Sequence, residues 1–389
     1  MSLDRAYLDH NATSPVRPEV SAAVARALAL PGNPSSVHAE GRAARAALEE
    51  ARERLGRLVG AAPARVVFTS GGTEAANAVL SGALRRRGMP APTRLLIGAT
   101  EHPCVTTGHR FPAEATETLP VLASGLLDLA ALEARLAALR DAVVLVSVHA
   151  ANNETGVVQP LAEIVALARA HGRVLVHSDA VQAVGKVPLD FSALGLDALT
   201  LSGHKFAAPK GVGALVLRED VGLDAAFVRG GGQEGRLRCG TENLPGLVGM
   251  GAAAEIARLG RDADALRLAA LRDAAEQGVR ARAPDAVVFG CTAPRLPNTL
   301  SFAVPGLDAP TALIAFDLAG VAVSSGSACS SGRVARSPVL AAMGVSPALA
   351  AGALRVSLGW NTGESDIARF LDAFERVVAT LYRRRREAA

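Results

Sequence analysis

Apolar positions recur at helical spacing over residues 42–59, close into an unbroken run over 66–69, and return to helical spacing over 74–87. Further short, mostly apolar runs without alternation cover residues 94–97, 143–148, 174–177, 198–201 and 214–217. Helical patterns over 129–140 and 161–171 lie between several of them. Runs of four to six apolar residues without alternation mark strands covered on both faces, and strands that alternate with helices predict an α/β fold with a largely parallel sheet and helices on both faces. Beyond Gly230-Gly231-Gly232 the pattern changes to longer helices over 244–258 and 264–283, short strands near Val287, Thr299 and Arg355, and a last helix from Glu364. This predicts a large domain over 15–259 and a smaller α+β domain formed by 1–14 and 260–389. No repeat or low-complexity linker separates them, so the two are expected to pack tightly.

Composition narrows the function classes. The chain has 389 residues, half of them apolar and a fifth charged, which excludes a disordered or collagen-like protein. No apolar run approaches the roughly 18 residues of a membrane helix, and Asp4, Arg5 and Asp9 stand where a signal peptide is apolar. A cytoplasmic protein without a membrane partner is expected. The net charge of +4 owes much to the run Arg383 to Arg386, which reads as a solvated helix end with a docking role left open. Aromatic residues make up only 3% of the chain, too few for base-stacking platforms, so no nucleic-acid partner is expected. Cys104, Cys239, Cys291 and Cys329 are far apart, which speaks against a metal site or a disulfide framework.

Candidate chemistry collects at the C-terminal ends of the predicted strands, where open α/β sheets place their ligand crevice. One strand runs into Ser178-Asp179-Ala180-Val181-Gln182, and the next into Ser202-Gly203-His204-Lys205. An Asp and a Lys so placed suit a buried ion pair. They equally suit pyridoxal phosphate (PLP), which needs an amine for its Schiff base and a carboxylate to keep its ring nitrogen protonated. Strand 66–69 passes through Ser70-Gly71-Gly72-Thr73-Glu74 into a helix, a turn that serves as a plain cap or as a phosphate cradle of free backbone N–H groups. Nucleotide motifs fail: Gly185-Lys186 is followed by Val187, and no G-x-G-x-x-G opens a helix after a first strand.

Several short motifs then occur in order: Tyr7 to Thr13, Asn33 to His38, Ser70 to Glu74, Thr100 to Pro103, Asn152 to Gly156, Asp179 to Gln182, Ser202 to Lys205, Gly240 to Asn243 and Ser324 to Ser331. Over nearly the whole chain they resemble the cysteine desulfurases of the NifS and IscS type, class V aminotransferases among the fold-type-I PLP enzymes. Ser324-Ser325-Gly326-Ser327-Ala328-Cys329 is the most specific part. The resemblance implies that Lys205 forms the Schiff base and moves the substrate Cα proton, that Asp179 partners the ring nitrogen, and that His102 lies over the ring. It implies that Gln182 bonds the ring phenolate oxygen, that Gly72, Thr73, Ser202 and His204 hold the phosphate, and that Thr241 reaches the phosphate of a neighbouring subunit in a homodimer. Arg355 would clamp the substrate carboxylate, with Asn153 between cofactor and carboxylate and Asn33 near by. Cys329 would take the sulfur of L-cysteine as a persulfide, leaving alanine, and pass it to an acceptor such as an iron–sulfur scaffold or a sulfur carrier. Its small, turn-forming neighbours predict an exposed, mobile loop over about 324–337, and no metal is implied.

Three departures bear on the acceptor. Arg333-Val334-Ala335-Arg336-Ser337 stands where the family has Ser-Leu-Glu-Pro-Ser. Glu234-Gly235-Arg236 replaces Glu-Arg-Gly, with Cys239 where Ser or Ala is common, and no long extension follows Leu381. Rival readings are a selenocysteine lyase, another class V aminotransferase, or an inactive sulfur-relay subunit. Cys329 argues against the aminotransferase, and the intact set of Lys205, Asp179, His102 and Cys329 against the relay subunit.

Overall fold

The computed structural model describes residues 5–325 and 337–387; of the exposed loop expected over about 324–337, residues 326–336, Cys329 among them, lie outside the described residues, while Ser324, Ser325 and Ser337 at its ends are buried, a correction to that expectation. The central sheet has seven strands: β1 (Val66–Thr69), β2 (Arg94–Gly98), β3 (Thr116–Leu119), β4 (Val144–Ser147), β5 (Val174–Asp179), β6 (Ala198–Ser202) and β7 (Gly213–Leu217). Their order is β1-β7-β6-β5-β4-β2-β3. Only β7 is antiparallel, pairing that way with both β1 and β6. The other six therefore run in one direction, and the C-terminal ends of β1, β2, β4, β5 and β6 open on one edge of the sheet.

Alternation along each strand builds two cores at once. Phe68, Leu96, Val146, Val176 and Leu201 face one side. Val67, Ile97, Leu145, Leu175 and Leu215 face the other. Both faces are dry, which is why these strands read as continuous apolar runs. The first face is covered by α1 (Ala39–Val59) and the leading half of the long helix α3 (Leu244–Arg282); the second packs on α2 (Gly72–Val79).

A separate core gathers Leu8, Leu271, Val279, Phe302, Phe316, Phe370 and Phe374. Its sheet is β8 (Val287–Val288), β9 (Thr299–Ala303), β10 (Ser324–Ser325) and β11 (Ala353–Ser357), in the order β8-β9-β11-β10 and antiparallel throughout. Strand Ala6–Tyr7 pairs in parallel with Val321–Ala322, tying the N-terminal segment to this core, and helix α4 (Glu364–Glu387) packs across it.

Three local expectations change. The helices expected over 244–258 and 264–283 are one continuous α3. Leu-Gly-Arg-Asp-Ala at 259–263 reads as a break, yet a single Gly260 costs a helix only about 1 kcal/mol and no proline intervenes. The polar stretch is where α3 crosses between cores, with Met250 and Ala253 in one and Leu268 and Leu271 in the other. The helix expected over 74–87 ends at Val79; after a turn with Gly82 at φ +83°, Leu84–Arg86 pairs antiparallel with Val221–Leu223. Strand β3 carries Thr-Glu-Thr-Leu at a sheet edge, half-exposed, and has no apolar run to announce it.

Candidate active site

Residues from the open sheet edge and from the N-terminal segment line a cavity of about 370 Å³. At one end, Gly72 and Thr73 begin α2 behind Gly71. The first turn of a helix leaves its N–H groups without helical partners, and they carry the positive end of the dipole. A Cβ at Gly72 would stand 2.7 Å from Val181 Cγ2 and 3.4 Å from Ser202 Cβ, so glycine is what lets this turn close onto the next strand end. The capping geometry is present too: Glu74 reaches back to accept from the Ser70 N–H at 3.1 Å. Ser202 and His204 complete this end. His204 Nδ1 shares a hydrogen bond with Thr13 Oγ1 at 3.2 Å, and burial, then Lys205, Lys210 and Lys186, push its pKa down to about 4.

The floor is acidic. Asp179, at the end of β5, is buried; its Oδ1 accepts from the Val181 N–H at 2.9 Å, and Cys104 directs its thiol at Oδ2 from 3.7 Å. Burial, then Asp179 and Glu101, push that thiol far up, so Cys104 is an unreactive neutral neighbour. His149 is buried beside it, with Nδ1 2.8 Å from Glu101 Oε1, which also accepts the His149 backbone N–H at 2.6 Å. Burial opposes charge on this ring, but Glu101, with Asp179 beyond, outweighs it and raises the pKa above the usual histidine value. Its Nε2 is buried without a partner in the wall of the cavity.

The opposite wall is basic. Lys205 Nζ donates to the carbonyls of Asn11 at 2.6 Å and Ala12 at 2.8 Å. Gln182 Nε2 donates to the same Asn11 carbonyl at 3.0 Å, while Gln182 Oε1 accepts from Lys186 Nζ at 2.8 Å. Arg355, on β11 and 2% exposed, donates to Asp9 Oδ1 at 2.8 Å and to the Asn153 carbonyl at 3.1 Å. Its Nε is buried and unpaired. Arg355 lines the cavity, and with Asp9 displaced its planar guanidinium is a seat for a carboxylate.

His102 caps the short helix Pro103–Thr106 and also faces the cavity. Its Nδ1 accepts from the Cys104 N–H at 3.1 Å, which places the proton of the neutral ring on Nε2. Nearby, Glu154 is buried, and Ser337 Oγ donates to it at 2.5 Å. Burial raises its pKa to about 7, although Ser337, Arg355 and His102 pull the other way.

Thus Gly72, Thr73, His102, Asn153, Asp179, Gln182, Ser202, His204, Lys205 and Arg355 share one cavity. Two expected residues lie elsewhere in the single chain. Asn33 is exposed, its Oδ1 closing a turn by accepting the Ser35 N–H at 2.9 Å. Thr241 is exposed beside Ser70 and Arg238, lining a different and smaller cleft. The Glu234-Gly235-Arg236 departure has a structural account: the Glu234 carboxylate takes two Arg52 donors at 2.7 and 2.6 Å and the Phe68 N–H at 2.8 Å. It thereby ties the glycine-rich turn to β1 despite φ +48° at Glu234.

Asn11, Glu101, His149 and Lys186 were missed by residue-level reasoning. Asn11 and Glu101 sit inside quoted motifs, but no spacing rule says that a backbone carbonyl at 11 will seat a lysine from 205. Among the described residues, no helix is long and apolar enough to cross a membrane, and no group of three or more His, Cys, Asp or Glu is arranged for a metal ion.

Comparison with known proteins places this geometry. The sequence profile described as aminotransferase class-V matches residues 6–370. An IscS-like cysteine desulfurase of Mycobacterium tuberculosis is 42% identical over 381 residues, 96% of each chain. A cysteine desulfurase of Cereibacter sphaeroides is 44% identical over 385 residues, 97% of each. Among solved structures, a NifS-like protein from Rickettsia africae superposes with a TM-score of 0.85 at 32% identity, covering 96% of this chain and 99% of that one.

Proposed function

The chain belongs to the class-V aminotransferase family and is an enzyme with cysteine desulfurase activity, and we propose that it works with PLP held in the cavity described above. One observation carries the reading: Lys205 and Asp179, from adjacent strand ends, share a single cavity with the helix start at Gly72 and with Arg355. The donor set suits the cofactor. Gly72, Thr73, Ser202 and His204 would hold its phosphate, Asp179 its ring nitrogen, Gln182 its phenolate oxygen, and Lys205 would bond it covalently. When bound, PLP supplies an electron sink for the bonds around the substrate Cα.

The protein supplies the rest. Arg355 receives the α-carboxylate of L-cysteine, which takes the place of Asp9 on the guanidinium, with Asn153 alongside. The Lys205 amine would take the Cα proton, and the proton on His102 Nε2 would be available to the substrate. The C–S bond breaks as the Cys329 thiolate bonds the departing sulfur. The carbon retains the electron pair and takes a proton, so cysteine and a thiol become alanine and a persulfide. A thiol reductant or an acceptor protein then removes the outer sulfur.

The two cores support a division of the chain near residue 260, within α3, and the exposed Thr241 suits a homodimer in which it serves the partner's phosphate site. We place the activity in the cytoplasm, in sulfur supply for iron–sulfur assembly or another thiolation route. The deciding experiment is alanine formation from L-cysteine by the purified protein with PLP and a thiol reductant, read beside absorbance near about 400 nm. Yellow protein making alanine and sulfide in equal amounts establishes the reading; yellow protein making neither overturns it. Cys329→Ser should stay yellow and release no sulfide, and wild-type turnover in that variant would remove Cys329 from the mechanism.

A further inference from the structure

Lys186 has no evident structural reason to be a lysine. Its amine lies deep in the protein, while part of the side chain reaches a small cavity beside Trp360. Among the described residues it makes no ion pair, and the charges that act on it are the like charges of Lys205 and Arg355. An enclosed ammonium without a carboxylate is among the costliest placements in a fold, and an apolar side chain would fill the space without that cost. Burial, then Lys205 and Arg355, accordingly hold its amine well below the usual lysine range.

What the amine does is visible in its two bonds. It donates to Gln182 Oε1 at 2.8 Å and to Asn11 Oδ1 at 2.9 Å. Gln182 Nε2 in turn donates to the Asn11 carbonyl at 3.0 Å, the same carbonyl that accepts from Lys205 at 2.6 Å. If the Gln182 amide turned over, its NH2 would face the Lys186 amine and its oxygen would face the Asn11 carbonyl. Both bonds would be lost and replaced by like-against-like contacts.

We propose that Lys186 is a positioning residue: it locks the Gln182 amide so that Nε2, with one N–H on the Asn11 carbonyl, keeps its second N–H for an oxygen acceptor in the cavity. The inference rests on the PLP-dependent desulfurase reading and deepens it. The acceptor is the phenolate oxygen of the cofactor, which a reversed amide would repel. Lys186 touches neither cofactor nor substrate and acts through Gln182.

The test compares the wild-type holoenzyme with Lys186→Met, Gln182→Leu and the double variant, reading the absorption maximum of bound PLP, the PLP dissociation constant, kcat and KM. Lys186→Met should shift the absorption maximum, weaken PLP binding about tenfold and lower kcat about tenfold, with KM for cysteine nearly unchanged. In the Gln182→Leu background the same substitution should add little to either loss. A wild-type spectrum and kcat in Lys186→Met, or a loss that persists in full on top of Gln182→Leu, overturns the proposal. If the Met variant does not fold, Lys186→Gln, whose amide stops one bond short, carries the test with an expected loss of about threefold. A wild-type spectrum and turnover in that variant overturn it equally. The spectral arm needs only bound PLP. A shift there supports the proposal even if the wild-type protein makes no alanine, a result that would overturn the desulfurase reading alone.

Discussion

The two sides of the cavity treat their titratable groups in opposite ways. On the floor, His149 between Glu101 and Asp179 is raised above its usual pKa in spite of burial. At the Gly72 end and behind the facing wall, His204 and Lys186 are lowered, because burial there is reinforced by Lys205, Lys210 and Arg355. Burial by itself disfavours charge on any of them, and the company each keeps decides whether that preference survives. The floor thereby favours the charged form of its histidine, and the wall disfavours the charged forms of His204 and Lys186.

The sharpest break in this contrast is removal of the amine the wall is built around. Lys205→Ala should abolish the yellow chromophore and lower kcat by a factor on the order of 10³ or more. A Schiff base that can still be trapped by borohydride in that variant would mean that another amine does the work. Next, Arg355→Ala should raise KM for cysteine by roughly 10²-fold with a smaller change in kcat, as expected for loss of a bidentate carboxylate contact. Steady-state kinetics over a range of cysteine concentrations would show it.

The third effect lies in stability against pH. The folded pKa of His149 is raised, so its contribution is complete below the unfolded value of about 6.5 and is lost as pH rises through the folded value. For His204 the sign reverses: its contribution is present above about 6.5 and lost as pH falls towards about 4. Glu154, raised to about 7, contributes fully below about 4.5 and loses that contribution as pH climbs to about 7. Denaturant midpoints from pH 4 to 9 for His149→Gln, His204→Gln and Glu154→Gln should each lose their own limb of the curve. Identical changes in the two histidine variants would erase the distinction between floor and wall. The smallest effect is expected at Asp9, which occupies Arg355 at 2.8 Å. Asp9→Asn should lower KM a few-fold, since the substrate carboxylate no longer displaces a charged competitor; a rise in KM would make Asp9 a holder of Arg355 instead.

Much of this was legible in the chain. The strands with both faces buried announce themselves as apolar runs, and Asp179 and Lys205 stand one residue or a few beyond such runs, where a parallel sheet must expose them. Strand β3 and strand Leu84–Arg86 were not legible. The first is a polar edge, and the second exists only because residues 221–223 come alongside it. Asn33 shows the converse: its motif is plain in the sequence, but its side chain is spent on a local turn.

By itself, the sequence determined the fold class, the family and the chemical types of the groups on the sheet edge, because periodicity and motif spacing are properties of neighbouring residues. Only the tertiary structure decided that Asn11 seats Lys205, that Lys186 braces Gln182, that Asp9 guards Arg355 and that Glu101 raises the pKa of His149. Those pairs stand between 4 and 346 positions apart. Their bond strengths and pKa directions depend on distance and burial in space, which no local pattern encodes.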